Sequence, residues 1–298
     1  MRICSELPVG NYPLTMTSIK KVGVLGSGIM GSGLAEVVAR AGLDVVVRSR
    51  TQAGADAVLA KVDSGLARHV AKERMTEEER QAILGRISVT DHLGQLADCD
   101  LVIESVVEDL EVKRALFAEL EQIVKPEGIL ATNTSTLPVV ELAMMTQRPS
   151  QVCGIHFFNP APAMSLVEII RPLTASDETI ATAAGFVEAC GKNAVHVEDR
   201  AGFIVNALLF PYLNNAVRML ENGTASMDDI DAAMMGGCNF PMGPFALLDL
   251  VGLDTSVSIL DALYAEFSDA NYATVPLLRR MVAAGHLGRK TKQGFRTY

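Results

Sequence analysis

The chain has 298 residues, of which 49% are apolar and 20% are charged, with a formal net charge of −9. This length predicts two domains, and the composition is that of an ordinary globular protein. The negative net charge argues against nucleic acid or an anionic membrane surface as the main partner, although a local pocket can still bind an anionic small molecule. Five cysteines without paired spacing indicate neither a disulfide framework nor a zinc site, and they favour a reducing compartment such as the cytoplasm.

The N-terminal segment differs from the rest of the chain. Residues 1–18 contain Pro8, Gly10 and Pro13 and lack the apolar stretch of a signal peptide, so we expect a disordered extension. Elsewhere, each apolar run is too short to span a bilayer, and the sequence predicts no membrane-embedded part.

Strand and helix patterns alternate through the first two thirds of the chain. An apolar strand pattern at 21–25 is followed by a helical pattern to about Ala41 and a second strand from Asp44. Further strand patterns recur, at 87–90, 101–104, 129–132 and 154–157. Thr76 begins a capping box within the polar helical region that separates the first two strands from these. This alternation predicts a parallel sheet that is covered by helices on both faces.

A glycine cluster follows the first strand pattern immediately, and its residues are Gly26, Gly28, Ile29, Met30 and Gly31. Gly26 suits the tight turn, Gly28 allows a pyrophosphate to approach the backbone, and Gly31 allows close packing of helix on strand. The start of the helix adds N–H donors and a positive dipole end. The glycine cluster lies between a strand and a helix, and this context indicates a dinucleotide site and not a merely structural turn.

The character of the sequence changes after about Val197, where strand signals stop and long helical patterns begin. Ser226 has the position of a helix N-cap in this second part. We therefore predict a dinucleotide-binding domain over residues 19–199 and an all-helical domain over residues 200–298.

Two polar clusters, residues 133–136 and 156–160, come directly after predicted strands. Ligands bind at the carboxyl ends of strands in an open parallel sheet, so both clusters are candidate site segments. An isolated histidine is usually a side chain whose hydrogen bonds are satisfied within the protein, or one that is exposed to solvent. His156 is a stronger candidate because Ser135, Asn159 and Glu168 are near it in the predicted topology.

Glu168 and Asn206 are polar residues within apolar stretches. A carboxylate in such a stretch is costly to bury unless it is paired, and His156 is the obvious partner for Glu168. The alternative is that Glu168 lies on an edge strand and faces water. Asn206 has donors and acceptors to satisfy; it either bonds a substrate across the interdomain cleft or ties two helices together.

Taken in order, these segments resemble the monofunctional L-3-hydroxyacyl-CoA dehydrogenases, in particular the 3-hydroxybutyryl-CoA dehydrogenase group. The resemblance runs from Ile19 to the C-terminus and includes further segments at 106–113, 202–206, 241–244, 249–254 and 294–295. It implies a Rossmann-like N-terminal domain, a helical C-terminal domain, an acyl-CoA substrate and a homodimer formed through the helical domain.

The resemblance also implies roles for individual residues. His156 would be the general base, with Glu168 orienting it and stabilising the imidazolium. Ser135 and Asn206 would hold the substrate oxygens, and Asn159 would also face the substrate. Glu108, Lys113 and Ser135 would lie near the nicotinamide ribose of the cofactor, and Asn133 would also contact the cofactor.

Three departures from the family pattern bear on ligands. The acidic residue expected at the end of the second strand is absent, and Ser49 and Arg50 stand in that region, which favours NADP over NAD. Ala207 follows Asn206 where many relatives carry arginine. The helix after Thr51 aligns poorly, so Ser64 and Lys72 are only nominal candidates for coenzyme A contacts.

Three alternatives remain at this stage. A dehydrogenase of a free hydroxy acid such as gulonate would use the same residues, as would an enzyme acting on an acyl carrier protein thioester. A non-catalytic dinucleotide-binding module is the alternative from another functional class, and the joint presence of Ser135, His156, Glu168 and Asn206 argues against it.

Overall fold

The computed structural model describes residues 19–298. The extension predicted for residues 1–18 lies outside the described residues. Within the described part, the strands are β1 (Lys21–Leu25), β2 (Asp44–Arg48), β3 (Ile87–Thr90), β4 (Leu101–Glu104), β5 (Ile129–Thr132), β6 (Val152–Phe157), β7 (Leu166–Arg171) and β8 (Asn193–Glu198). The four apolar strands β4 to β7 are almost completely buried, as expected for strands covered on both faces.

These strands form one sheet in the order β3-β2-β1-β4-β5-β6-β7-β8. The order reverses direction between β1 and β4, which is the switch point where ligands bind in doubly wound sheets. The prediction of an α/β fold with a parallel sheet is confirmed, and the pairing of β6 with β7 is the one exception to parallel pairing in this sheet. Strand β7 pairs antiparallel to β6 because a short loop joins these two strands. Strand β8 is parallel to β7 because a crossover helix at 177–189 connects them.

Helices that alternate with these strands cover the sheet: α1 (Ile29–Arg40), α2 (Gln52–Val70), α3 (Glu77–Leu84), α4 (Leu110–Ile123), α5 (Val139–Ala143) and α6 (Asp177–Ala189). Their starts are specified by side-chain caps. Thr76 and Glu79 form the predicted capping box, and Thr51, Asp109 and Ser176 each accept a backbone N–H in the first turn of the helix that follows.

By its internal contacts the chain divides into two compact units. The first contains the described residues up to Thr134 together with Pro138–Asp199, and the second contains Ser135–Leu137 and Arg200–Tyr298. The second unit is helical as predicted, with α7 (Val205–Glu221), α8 (Met227–Gly237), α9 (Pro244–Val251), α10 (Leu253–Phe267) and α11 (Pro276–Ala283). Ser226 caps α8. The short segment 135–137 thus groups with the helices, although its sequence position is within the first unit.

Polar side chains tie the helical unit together internally. Asn214 on α7 is fully buried; its side chain donates to the carbonyl of Ala273 at 2.8 Å and accepts from the N–H of Val275 at 3.0 Å. Asp249 on α9 accepts the backbone N–H of Phe295 at 2.8 Å and thereby holds the C-terminal segment.

Among residues 19–298, no helix has both the length and the apolar character needed to cross a membrane.

Candidate active site

The turn after β1 has the backbone geometry of a dinucleotide site. Gly26 has φ +123°, and a Cβ there would overlap the carbonyl oxygen of Ser105, so only glycine fits. A Cβ on Gly31 would overlap the carbonyl oxygen of Gly26, which lets α1 start close to the strand. A Cβ on Gly28 would meet nothing within 4 Å. The turn therefore leaves open space beside the N-terminus of α1, where the phosphates of a dinucleotide fit.

The two residues after Gly28 have different environments. The side chain of Ile29 is 63% exposed although it is apolar, whereas Met30 packs against the apolar core of the first unit. Ile29 therefore offers an apolar surface at the start of α1, and Met30 anchors the helix below it.

At the end of β2, Ser49 is buried and Arg50 is exposed. The Ser49 hydroxyl donates to the hydroxyl of Ser27 in the glycine turn at 3.0 Å, so the ends of β1 and β2 are joined at the position where an acidic residue was expected. Arg48 is turned toward the carbonyl of Asp91, with its Nε at 3.3 Å. Of these two arginines, Arg50 is therefore the one at the surface.

His156 and Glu168 lie together at the centre of the β6–β7 pair. They are directly opposite in register, and Nδ1 of the imidazole is 2.8 Å from Oε2 of the carboxylate. Both side chains are almost completely buried, at 5% and 1% exposure. An ionised carboxylate can only accept, so this contact places the proton on Nδ1 and leaves Nε2 as the basic nitrogen. Because β7 is an interior strand, Glu168 does not face water.

Neighbouring groups fix the carboxyl end of β6. The side-chain oxygen of Asn133, which follows β5, accepts the backbone N–H of Phe157 at 2.8 Å. The ring of Phe158 lies 4.6 Å from the His156 ring, centroid to centroid, at an angle of 55°. On the same strand, burial raises the pKa of the Cys153 thiol to about 12, so that thiol remains protonated and is no nucleophile.

A buried ionic network, which the sequence reasoning missed, lies at the carboxyl ends of β4 and β5. Both carboxylate oxygens of Glu104 accept from the Lys113 ammonium, at 2.7 and 2.8 Å. Glu104 also accepts from the N–H of Val106 at 2.6 Å and from the hydroxyl of Thr132 at 2.7 Å. The side chains of Glu104 and Lys113 are 0% and 1% exposed. The signal that could have revealed Glu104 is the one used for Glu168, a carboxylate at the end of an apolar run.

Glu108 lies at the outer rim of this network. Its carboxylate is 3.2 Å from the Lys113 ammonium and also accepts the hydroxyl of Thr134, while 40% of its side chain is exposed. Two of the residues expected near the nicotinamide ribose, Glu108 and Lys113, are thus brought together. Glu108 provides the accessible group, and Lys113 is buried beneath it.

The remaining site candidates are placed as follows. Ser135 is half-buried just after β5, and Asn159 is exposed in the loop after β6, before a cis peptide bond to Pro160. Asn206 is buried in the first turn of α7 in the helical unit. Ser64 and Lys72 are both exposed, on α2 and just after it, and Ser64 accepts a hydrogen bond from Arg68 at 3.4 Å. In the described part of the chain, no group of three or more His, Cys, Asp or Glu side chains is arranged to hold a metal ion.

Comparison with known proteins agrees with this geometry. The sequence profile of the 3-hydroxyacyl-CoA dehydrogenase NAD binding domain matches residues 21–200, and that of the C-terminal domain of the same family matches residues 202–298. A 3-hydroxybutyryl-CoA dehydrogenase of Mycobacterium tuberculosis is 46% identical over 283 residues, which cover 94% of this chain and 99% of the relative.

Solved structures give the same result. The crystal structure of M. tuberculosis FadB2 has a TM-score of 0.92 at 46% identity, and that of (S)-3-hydroxybutyryl-CoA dehydrogenase from Ralstonia eutropha has a TM-score of 0.92 at 41% identity. Each alignment covers 94% of this chain and 99% of the other. Together with the glycine turn, the buried His156–Glu168 pair and the two matched domains, these findings show that the chain belongs to the 3-hydroxyacyl-CoA dehydrogenase family, whose enzymes use a nicotinamide dinucleotide.

Proposed function

We propose that this enzyme interconverts a short (S)-3-hydroxyacyl-CoA, such as 3-hydroxybutyryl-CoA, and its 3-oxoacyl-CoA, with His156 as the general base. The observation that carries the proposal is the buried pair of His156 and Glu168 at 2.8 Å, at the carboxyl edge of a sheet that also bears the glycine turn. A binding module has no need for a base held in one tautomer by a buried carboxylate.

The roles of the residues follow from this pair. When bound, the nicotinamide ring supplies the hydride acceptor for oxidation and the hydride donor for reduction. Nε2 of His156 takes the proton of the substrate 3-hydroxyl, and in the reverse direction the imidazolium returns it. Glu168 keeps the proton of the neutral ring on Nδ1 and stabilises the positive charge that develops. A base positioned in this way typically contributes about 10²–10⁴-fold to the rate.

Other residues are proposed to hold the ligands. Ser135 and Asn206 would bond the substrate oxygens, and Asn159 would also face the substrate. On the cofactor side, the partly exposed carboxylate of Glu108 is suited to accept hydrogen bonds from the hydroxyls of the nicotinamide ribose. Lys113 is fully buried and would act there by holding Glu108 in place. Asn133 would fix the adjoining strand end through its contact with Phe157.

We further propose that NADP is preferred to NAD. At the end of β2, the position of the usual carboxylate holds the Ser27–Ser49 hydroxyl pair, with Arg50 exposed beside it. A 2′-phosphate would be repelled by a carboxylate there, whereas an arginine guanidinium and hydroxyl donors would bind it. Arg48 is less suited to this role because its side chain is turned to the Asp91 carbonyl.

A homodimer formed through the helical unit is also proposed. Several large apolar residues of this unit are exposed, and five of them are 41% to 73% exposed: Leu208, Met219, Met235, Phe240 and Leu250. Such exposure is typical of a subunit interface when the residues form one patch. Sedimentation analysis at several concentrations measures the assembly, and a single monomeric species would contradict this part of the proposal. The cytoplasmic location expected from the cysteines stays a prediction.

The experiment that tests the function is a substrate panel. Acetoacetyl-CoA and longer 3-oxoacyl-CoA esters are each assayed with NADH and NADPH, and the configuration of the product is determined. Acyl carrier protein thioesters and a free acid of the gulonate type form the other arms. Preferred reduction of a short acyl-CoA to the (S)-alcohol supports the proposal. A higher kcat/KM for the free acid or the carrier-protein thioester would favour those substrates, and no turnover in any arm would contradict the proposal.

A further inference from the structure

Lys192 lies between α6 and β8 and directs its ammonium into a cluster of backbone carbonyls. Its Nζ is within hydrogen-bonding distance of three carbonyl oxygens, those of Ala161 (2.9 Å), Pro162 (3.0 Å) and Met164 (2.8 Å). An ammonium has three N–H donors, so donors and acceptors match in number. All three carbonyls belong to the β6–β7 loop (residues 158–165), which joins the strand of His156 to the strand of Glu168.

The β6–β7 loop is held on two further sides. At its end, the N–H of Asn193 donates to the carbonyl of Ser165 at 2.7 Å. On its other side, helix α1 approaches closely at Gly33, where a Cβ would stand 3.1 Å from the Cβ of Ala161. The loop also carries Asn159. The segment between His156 and Glu168 is therefore packed between the helix that begins at the glycine turn and the start of β8.

The electrostatics of the carbonyl cluster favour a charged donor. Three carbonyl oxygens that point to one place bring the negative ends of their dipoles together, and hydrogen bonds from a charged donor are stronger than those from a neutral one. The side chain of Lys192 is half-buried, and this burial lowers the pKa of its ammonium. Glu36 and Arg40 of α1 are the nearby charged groups, and they pair with each other at 2.8 Å.

We propose that Lys192 is a positioning residue for the dehydrogenase reaction. Its ammonium serves as a built-in cation that fixes the β6–β7 loop and so holds Asn159 in its working position beside the His156–Glu168 pair. This inference rests on the proposed function. A small displacement matters here because a misplacement of about 1 Å can cost about 10²-fold in rate.

The pair of strands does not depend on Lys192, since β6 and β7 are joined by their own ladder. Loss of the ammonium is therefore expected to loosen the loop and leave the sheet intact. We expect kcat/KM for the 3-oxoacyl-CoA to fall by about 10- to 100-fold in Lys192→Ala, with a lower kcat as well as a higher KM. Lys20→Ala is the matched control, because Lys20 is exposed and lies just before β1.

Chemical rescue separates a positioning cation from a general structural role. The change from lysine to alanine removes three side-chain carbons and the ammonium, which n-propylammonium replaces. At constant ionic strength, we expect n-propylammonium to raise kcat/KM of Lys192→Ala by at least about threefold and to leave wild type and Lys20→Ala unchanged. Tetramethylammonium has no N–H donor and is expected to give no rescue.

Hydrogen exchange measured by mass spectrometry supplies a readout that does not depend on turnover. Amides of residues 158–165 are expected to exchange faster in Lys192→Ala than in wild type, and n-propylammonium is expected to slow them again. The amides of β1, β4 and β5 are expected to keep their wild-type protection. If Lys192→Ala is poorly soluble, Lys192→Met keeps most of the aliphatic side chain and is used for the same exchange comparison.

Wild-type kinetics and wild-type loop exchange in Lys192→Ala would overturn the inference. A loss of activity with faster exchange throughout the first unit and no rescue would overturn it as well, because that result describes a general loss of stability. Failure of the proposed function is a different result, since wild-type protein would then not reduce any 3-oxoacyl-CoA. The exchange comparison would still decide whether the ammonium fixes the loop.

Discussion

His156 and Glu168 face each other in register across the antiparallel strands β6 and β7, with Nδ1 and Oε2 2.8 Å apart. Residues directly opposite in an antiparallel pair have Cβ atoms about 4.5–5.5 Å apart on one face of the sheet, which suits a short side-chain hydrogen bond. The reversal of chain direction at the β6–β7 loop therefore creates the pair. A crossover to a parallel strand would not set these two positions opposite each other.

Changing Glu168 to Gln tests the electrostatic part of this relationship. The amide can still hydrogen-bond to His156, but it cannot stabilise the imidazolium, so we expect kcat to fall by about 10²-fold or more while the Kd of the cofactor is nearly unchanged. Steady-state kinetics and cofactor titration measure both quantities. Glu188→Gln, an exposed change on α6, is the control. Near-normal turnover of Glu168→Gln would show that the pairing has no catalytic role.

A comparison of two buried asparagines of α7 distinguishes a substrate-binding role of Asn206 from a structural role. We expect Asn206→Ala to lose activity without a change in thermal unfolding if Asn206 bonds the substrate. Asn214→Ala is the matched comparison, since Asn214 bonds Ala273 and Val275 and its loss leaves buried backbone groups unpaired, at a cost of about 1–3 kcal/mol. A low melting temperature for Asn206→Ala, similar to that of Asn214→Ala, would instead indicate that Asn206 ties helices together.

The cofactor preference is tested at Arg50. We expect Arg50→Ala to raise the KM for NADPH by about 10-fold, which corresponds to loss of a charge-assisted bond, and to change the KM for NADH little. Arg86→Ala is the control for the loss of one positive charge from the first unit. The guanidinium of Arg86 donates to the carbonyl of Ala82 near the end of α3 and is not proposed to bind the cofactor. Wild-type protein that prefers NADH tenfold or more would refute the NADP proposal and leave the family assignment unaffected.

The buried Glu104–Lys113 pair predicts an effect on stability. Glu104→Gln leaves the Lys113 ammonium buried without its closest counter-charge, and breaking such a pair typically costs about 3–5 kcal/mol in the free energy of unfolding. The double change Glu104→Gln with Lys113→Met removes both charges and is expected to recover part of this loss. Urea unfolding measures each variant. Equal losses in the single and double variants would mean that the ion pair is not the source of the effect.

The sequence predicts those features of the fold that depend on local patterns. The apolar strands β1 to β6, the glycine turn at Gly26 and the caps at Thr76 and Ser226 are all confirmed, because strand burial, positive φ and capping each select residue types at short range. The antiparallel direction of β7 was missed, since pairing direction is set by how the chain is connected in three dimensions. Strand β8 was missed as well, because it is an exposed edge with a weak apolar pattern.

Only part of the site can be predicted from the sequence. His156 and Glu168 stand out because a polar group in an apolar run needs a partner, and Glu104 would have stood out by the same reasoning. The role of Lys192 leaves no pattern in the sequence, since its three partners are backbone carbonyls that any residue could supply. The neighbourhood of Ser49 was found only because an expected carboxylate is absent there.

The most direct test of the proposed chemistry is the turnover of acetoacetyl-CoA by wild-type protein and by His156→Gln at saturating cofactor. We expect the wild type to form (S)-3-hydroxybutyryl-CoA and His156→Gln to turn over about 10²–10⁴-fold more slowly, with unchanged cofactor affinity. A His156→Gln variant that reduces acetoacetyl-CoA at the wild-type rate would contradict the assignment of His156 as the base.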